Sequence, residues 1–183
     1  ARFGGRRNVD SMSVTNPQIS SLVESISWLA SRRIGALIVV AGEDPLDRLV
    51  EGGVSLKGEI SKQLLLSLFD PHTPGHDGAV IIDNKRIEKF AAHLPLTKNR
   101  HLVGDRGTRH SAAIGLSELC DALIMVVSEE TGEISVARKG EMKTDVSAMD
   151  LQGMLGRFLE DQTETNNRIS LRRAFTQRAS LKF

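Results

Sequence analysis

The sequence predicts an α/β fold in which helices flank both sides of a central mixed β-sheet. Two short apolar runs, Ala36–Val40 and Leu123–Val127, have the length and composition of buried strands. Segments with helical spacing alternate with such runs along the chain, which favours helices on both faces. Turn sequences at residues 83–85 and 128–132 join neighbouring strands as hairpins, so we expect a mixed sheet rather than a purely parallel one.

The chain begins its folded part with a helix and a strand. Asn16 can cap a helix whose first residue is Pro17, and apolar residues at helical spacing extend that helix to about residues 32–33. The strand over residues 36–40 follows. A loop rich in acids and glycine is expected from there through Gly53.

A second helix and a hairpin come next. Leucines on one face predict a helix over residues 58–69, which Pro71 ends. The apolar residues 79–82 predict a strand, residues 83–85 a tight turn, and residues 86–96 the returning strand.

The last third of the chain contains a second hairpin and a helix. Residues 123–127 and 134–137 predict its two strands. Ser147 and Asp150 form a possible capping pair for a helix that follows. After Asp161 the sequence turns polar and basic, and a further helix and a tail are equally compatible with it.

Length and charge limit the domain organisation and the class of partner. A chain of 183 residues with 40% hydrophobic content supports one well-buried core. We expect a single domain over residues 17–162, between a basic tail or linker (1–16) and a basic helix or tail (163–183). The 24 Lys and Arg nearly balance the 23 Asp and Glu, which disfavours a nucleic-acid-coating protein.

Cysteine content and hydropathy point to the cytoplasm. The single cysteine, Cys120, cannot form an intrachain disulfide, which fits a reducing compartment. No apolar run approaches the roughly 20 residues that a membrane-spanning helix needs. Because the chain begins with Ala1 rather than Met, we expect a processed form or a piece of a longer protein.

The first candidate site is the sequence His-Asp-Gly-Ala at residues 76–79. Asp77 could bind a divalent cation or accept a proton from a hydroxyl group. Gly78 and Ala79 leave room for a ligand to approach the backbone. The alternative interpretation is an ordinary Asp-Gly turn at the start of a strand.

The second candidate site is the start of a helix predicted over residues 107–119. Backbone N–H groups and the helix dipole favour anions at such an end. A hydroxyl, a guanidinium and an imidazole group cluster there and could hold a polyphosphate: Thr108, Arg109, His110 and Ser111. The alternative is a capped, solvated helix end.

The third candidate site is the turn at residues 128–132, where Ser128 and the paired acids Glu129 and Glu130 follow a strand. The alternative is a solvated acidic hairpin turn.

Phosphate loops, dinucleotide-binding glycine motifs and cysteine pairs with zinc spacing are absent from the sequence. Taken together, the three sites supply a metal-binding acid, phosphate-binding groups and hydroxyls, the components that phosphoryl transfer needs.

The chain resembles the diadenylate cyclase (DAC) domain in three segments, HDGAVIIDNKRI, LPL and GTRHSAAIGLSELCDALIMVVSEETGEISVA. Asp-Gly-Ala and Arg-His-Arg motifs characterise that domain. The resemblance covers roughly residues 17–142, and the segment RRIGALIVV is most similar to the membrane-tethered branch. It implies a DAC-type fold and the condensation of two ATP into cyclic di-AMP and two pyrophosphates.

The resemblance also implies roles for individual residues. Asp77 would hold a catalytic metal, Mg²⁺ or Mn²⁺, near the ribose 3′-hydroxyl and help to deprotonate it. Further metal contacts would come from His76 and Glu130. The nucleotide and its phosphates would be bound by Gly78, Ala79, Leu94, Thr108, Arg109, His110 and Ser128, with Asp77, Arg109 and His110 as the catalytic group.

Two positions depart from the family pattern. Ser111 replaces the second arginine of the Arg-His-Arg motif, and His93 stands where we expect an aromatic residue beside the adenine. Because Asp77, Arg109 and His110 are retained, we interpret the site as competent, with His93 and Ser111 among the nucleotide-binding residues.

The chemistry itself requires a face-to-face homodimer. Each 3′-hydroxyl must attack the α-phosphorus of the other ATP, yet one pocket presents one ATP in one orientation. Two pockets facing each other across a two-fold axis satisfy both attacks. A module that senses ATP or cyclic di-AMP without turnover is the alternative function, and a nucleic-acid partner is disfavoured.

The resemblance to the tethered branch bears on localisation. The basic start of the chain, with Arg2, Arg6 and Arg7, would fit a segment that follows a membrane anchor absent from this chain, or a linker. We expect a cytoplasmic domain, which a longer protein would hold at the inner face of the membrane.

Overall fold

The computed structural model describes residues 16–180, so the basic segment before Asn16 lies outside the described residues. In chain order the elements are α1 (Pro17–Ser31), β1 (Ala36–Val40), β2 (Glu51–Glu59), α2 (Lys62–Leu68), a 3-10 turn (Pro74–His76), β3 (Ala79–Asp83), β4 (Arg86–His93), α3 (Arg100–Val103), α4 (Thr108–Ser117), β5 (Leu123–Val127), β6 (Ile134–Arg138), β7 (Glu141–Lys143) and α5 (Ala148–Ser180).

The strands form one seven-stranded sheet in the order β2-β4-β3-β1-β5-β6-β7. β1 and β3 are parallel, and every other neighbouring pair is antiparallel. Both predicted hairpins form, β3 with β4 and β5 with β6. The predicted mixed sheet is therefore confirmed.

Helices cover both faces of the sheet, as predicted. Alternate residues of β1 enter different cores: Ile38 packs with α1, α2 and α5, and Val39 packs with α4 on the opposite face. Both side chains are fully buried. The central strands are apolar on both sides for this reason, which accounts for the unbroken β-branched run that the sequence contains.

Local signals account for the start of α1 and for the first hairpin turn. The Asn16 side chain accepts a hydrogen bond from the Gln18 N–H group at 3.0 Å, and Pro17 is the first helical residue. Asn84 and Lys85 have φ angles of 45° and 63°, which suit a two-residue turn whose twist matches its strands.

The prediction for residues 51–61 was wrong. Residues 51–59 form the edge strand β2, paired with β4, instead of a loop followed by the start of a helix. Gly58 and Glu59 lie opposite Ile87 and Arg86, so they cannot belong to the helix. Helix α2 begins later, where the Ser61 hydroxyl accepts a hydrogen bond from the Leu64 N–H group at 3.3 Å.

Two further differences concern strand lengths. The strand predicted over residues 86–96 ends at His93, and Pro95, which has no N–H group for a sheet ladder, lies just beyond it. β7 was not predicted. It has only three residues, whose side chains are exposed, half-buried and exposed in turn, and so short a segment carries no usable hydrophobic periodicity. Because β4 ends at His93, Leu94 lies beyond the strand and packs in the core next to α4.

The helix predicted after Ser147 is present, and its capping contact is formed. The Ser147 hydroxyl accepts a hydrogen bond from the Asp150 N–H group at 3.1 Å. The backbone then continues as one helix to Ser180, across the domain boundary predicted at residue 162. No described helix combines the length and apolar character needed to span a membrane.

Gly156→Ala is expected to stabilise the protein. A Cβ atom at this position within α5 would meet no atom within 4 Å, and glycine loses more backbone entropy than alanine when a helix forms. We expect the free energy of unfolding to rise by about 0.5–1 kcal/mol in urea titrations. A decrease would mean that this part of α5 packs differently.

Candidate functional site

A cleft of about 930 Å³ lies between the end of β5, the segment before β3 and the start of α4. It brings together residues from all three candidate sites of the sequence. The predicted site residues that line it are His76, Asp77, Gly78, His93, Leu94, Thr108, Arg109, His110, Ser128 and Glu130.

Ala79 and Ser111 do not line this cleft. Ala79 is fully buried, and its side chain packs in the core beneath α4 because it is the first residue of β3. Ser111 is half-buried on α4, and its carbonyl group accepts a hydrogen bond from the Thr97 N–H group at 3.1 Å. These two side chains are therefore set apart from the other predicted site residues.

Gly78 holds the Asp77 segment against strand β4. Its φ angle is 124°, a region that side-chain-bearing residues rarely adopt. A Cβ atom there would lie 2.7 Å from the carbonyl carbon of Ala91, which itself has a φ angle of 52°. The pairing of β3 with β4 is irregular at this point, and such bulges often adjust side chains beside a site. Asp77 is exposed at the edge of the cleft.

His76 has one ring nitrogen engaged and the other available. Its Nδ1 lies 2.6 Å from the Thr73 carbonyl oxygen, to which an Nδ1–H group donates. In the neutral ring, Nε2 is then an acceptor, the arrangement usual for histidines that bind metals.

The three predicted metal ligands, His76, Asp77 and Glu130, all line the cleft, as do other carboxylates such as Glu129 and Glu133. Within residues 16–180, no three imidazole, thiolate or carboxylate side chains converge as a ready metal cage. Mg²⁺ commonly uses only one or two carboxylates and completes its octahedral shell with phosphate oxygens and waters. The donor chemistry of Asp77 and Glu130 fits such an ion.

Arg109 lies against the backbone of Gly35 and pairs with Glu129. Its Nη1 is 2.7 Å from Oε2 of Glu129, and a Cβ atom at position 35 would lie 2.6 Å from the same nitrogen. The arginine side chain is 21% exposed and the glutamate side chain 63%. Nη1 thus donates to a carboxylate that reaches into solvent, while Gly35 supplies the space for the guanidinium group.

The surroundings of His110 favour the neutral form of its imidazole. The residue is 5% exposed, and burial lowers the pKa of its imidazole below 6.5, with the positive charge of Arg106 adding to the effect. Glu133 and Glu130 oppose this shift by favouring the protonated ring. A neutral ring offers one donor and one acceptor to a ligand.

The sequence interpretation missed several residues that line the cleft. The polar ones outside every candidate site are Asp105, Arg106 and Glu133, while Glu129 and Thr131 belong to the third candidate site but were given no role. The loop Gly-Asp-Arg-Gly just before α4 was a usable signal, since glycines on either side of charged residues mark a turn at the helix entrance. Nothing in the sequence indicated that Gly35, some 70 positions away along the chain, would contact Arg109.

The mixed sheet defines an α/β domain, and a cleft that combines carboxylates, arginines and a helix start is compatible with nucleotide binding. The family described as DisA bacterial checkpoint controller nucleotide-binding (DAC) matches residues 23–142. This chain belongs to that family, as its three motif segments predicted.

Named relatives agree with this assignment. A protein of Listeria monocytogenes named diadenylate cyclase is 47% identical over 137 residues, 75% of this chain and 50% of its own length. Cyclic di-AMP synthase CdaA of Bacillus subtilis is 36% identical over 167 residues, 91% of this chain and 61% of its own length. This chain therefore spans about half of one relative and three fifths of the other.

A solved structure has the same fold. The crystal structure of a double cysteine mutant of DacA from Staphylococcus aureus superimposes with a TM-score of 0.75 at 40% sequence identity. The match covers 78% of this chain and 95% of that chain. The predicted DAC-type fold is thereby confirmed.

Proposed function

We propose that this chain is a diadenylate cyclase domain, which condenses two ATP into cyclic di-AMP and releases two pyrophosphates. One observation carries the proposal: a single cleft is lined by Asp77 together with Thr108, Arg109 and Ser128. The name of the Listeria relative, 47% identical to this chain, supports the same activity.

The start of α4 and the end of β5 would bind the phosphates. Unpaired N–H groups in the first turn of α4 and the Thr108 hydroxyl can donate to phosphate oxygens. The Arg109 guanidinium adds charge-assisted hydrogen bonds, and its exposed partner Glu129 can turn away into solvent as phosphate enters. Leu94 and His93 line the same cleft and would contact the adenine.

Asp77 would act on the nucleophile. Each of the two new bonds forms when the 3′-oxygen of one ATP attacks the α-phosphorus of the other. The bond from that phosphorus to the bridging oxygen then breaks, and pyrophosphate leaves. The carboxylate of Asp77 would accept the 3′-hydroxyl proton and pass it to solvent. Neutral His110 would donate an N–H group to a phosphate oxygen without adding charge.

The resemblance to diadenylate cyclases implies a metal-dependent reaction, and the carboxylates in this cleft suit such an ion. Asp77 and Glu130 would hold Mg²⁺ or Mn²⁺ together with phosphate oxygens and waters, and His76, which does not form a three-ligand cage with them in the described residues, would be a further contact. When bound, such an ion neutralises charge on the phosphate oxygens and helps to orient them.

A second copy of the chain would complete the reaction. The cleft opens at the surface, and its exposed members include Asp77, His93 and Thr108. Two such clefts facing each other would let each ATP serve as both nucleophile and electrophile. The monomer is therefore expected to bind ATP without cyclising it.

A membrane tether in a longer protein belongs to the same proposal. The resemblance of residues 32–40 to the tethered branch supports it, and ATP as substrate places the domain on the cytoplasmic side. Fractionation of cells that express the full-length protein would test this, since recovery in the soluble fraction alone would contradict the tether.

Arg109→Ala is expected to weaken ATP binding by about 1.5–3 kcal/mol, because a charge-assisted hydrogen bond is lost. Calorimetry with 3′-deoxy-ATP, which lacks the attacking hydroxyl, measures binding without turnover. Arg157→Ala, an exposed site on α5 outside the cleft, is the matched control. Equal affinity in the Arg109 variant and the parent would remove Arg109 from the phosphate site.

The direct test of the activity is incubation of the purified chain with ATP and either Mg²⁺ or Mn²⁺, with products separated by chromatography. The proposal predicts cyclic di-AMP and pyrophosphate in a ratio of one to two. ATP binding without product with either metal would favour the sensing module, for which the replacement of the motif's second arginine by Ser111 is the supporting observation.

A further inference from the structure

Arg106 is a cation of the cleft that has no assigned role. It lies in the loop between α3 and α4, two residues before the first residue of α4, and it lines the cleft. Its Nη1 donates to the Val103 carbonyl oxygen at 3.5 Å, a long and weak contact. Among residues 16–180, the ion pairs formed do not include Arg106.

Arg106 and Arg109 differ in whether a carboxylate already pairs with the guanidinium group. Arg109 pairs with Glu129 at 2.7 Å, whereas the guanidinium of Arg106 is exposed to the cleft without a carboxylate at ion-pair distance in the described chain. Carboxylates outnumber arginines along the cleft wall. A triphosphate that contacts Arg106 would therefore not have to displace a carboxylate from it, as it would at Arg109.

The position of Arg106 relative to His110 supports a role at the phosphates. Among the charges around His110, that of Arg106 has a larger influence on the imidazole pKa than that of Arg109. Arg106 also lines the same cleft as the first turn of α4, where the N–H groups and the Thr108 hydroxyl can receive an anion.

We propose that Arg106 binds the triphosphate of the nucleotide and supplies the second cationic contact that Ser111 does not. Ser111 occupies the position of the second arginine of the Arg-His-Arg motif, and its side chain does not line the cleft. Arg106 reaches the same cleft from the preceding loop. This inference rests on the proposed function for the identity of the nucleotide.

The test compares binding of tripolyphosphate and of 3′-deoxy-ATP to the parent chain and to Arg106→Gln. We expect both ligands to bind roughly tenfold more weakly to the variant, and Arg106→Lys to retain most of the affinity because it keeps the charge. Arg48→Gln removes the same charge from an exposed position outside the cleft and should bind both ligands as the parent does. Adenosine affinity should be unchanged in every variant.

A second readout is independent of nucleotide. Removal of the Arg106 charge should raise the pKa of His110, measured by NMR titration of its imidazole, while Arg48→Gln should not. Equal tripolyphosphate affinity in the parent and Arg106→Gln overturns the assignment, as does a parent that binds no tripolyphosphate. A parent that loses tripolyphosphate affinity through Arg106→Gln but forms no cyclic di-AMP would refute the cyclase activity and leave the Arg106 site standing.

Discussion

Asp77→Asn is expected to abolish cyclic di-AMP formation while leaving the fold intact. Asparagine keeps the size of the side chain but loses the charge that accepts the 3′-hydroxyl proton and attracts a metal. Loss of a general base alone costs about 10²–10⁴-fold in rate, and loss of the metal adds to it. Because Asp77 is exposed, the thermal midpoint should stay close to that of the parent.

The measurement is product formation by chromatography at saturating ATP, with circular dichroism as the check on folding. Asp47→Asn makes the same chemical change at an exposed position outside the cleft and should retain parental activity. Full activity in the Asp77 variant would remove Asp77 from the mechanism.

Gly78→Ala is expected to damage both the fold and the site. The φ angle of 124° is unfavourable for alanine, and the added Cβ would lie 2.7 Å from backbone of the neighbouring strand, which cannot move as a side chain can. We expect a loss of about 3 kcal/mol in the free energy of unfolding. Relief of the contact would also displace Asp77, so activity should fall even at temperatures where the variant is folded.

Urea unfolding followed by circular dichroism gives the stability, and the cyclisation assay below the transition gives the activity. Gly156→Ala is the matched substitution at a glycine with open space around it. If Gly78→Ala has parental stability and activity, then the close approach of this glycine to Ala91 does not hold the site together.

The sequence was most informative where local and tertiary preferences agree. The strands Ala36–Val40 and Leu123–Val127 are buried on both faces, so their short apolar runs, rich in Ile and Val, carry an unambiguous signal. The Asn16 cap and the following proline likewise predicted the start of the first helix. Edge strand β2 could not be predicted, because its exposed residues and positive-φ glycines resemble a loop until β4 pairs with it.

The sequence predicted which helix and strand ends carry the site residues, but not which residues contact one another there. Asp77, Thr108 and Ser128 each lie beside the end of a helix or strand, and the sheet order brings these ends to one cleft. The contact of Gly35 with Arg109 depends on tertiary packing between distant segments. Arg106 was missed because the Gly-Asp-Arg-Gly loop signals a turn at the helix entrance but not which cleft the arginine lines.

The central claim is cyclisation across two facing clefts, and the rate of cyclic di-AMP formation as a function of protein concentration tests it most directly. With ATP and metal held in excess, the initial rate should rise faster than linearly with protein at concentrations where monomer predominates, because the active species contains two chains. A rate per chain that stays constant while sedimentation shows only monomer would contradict the face-to-face mechanism. ATP binding with no product at any protein concentration would contradict the activity itself.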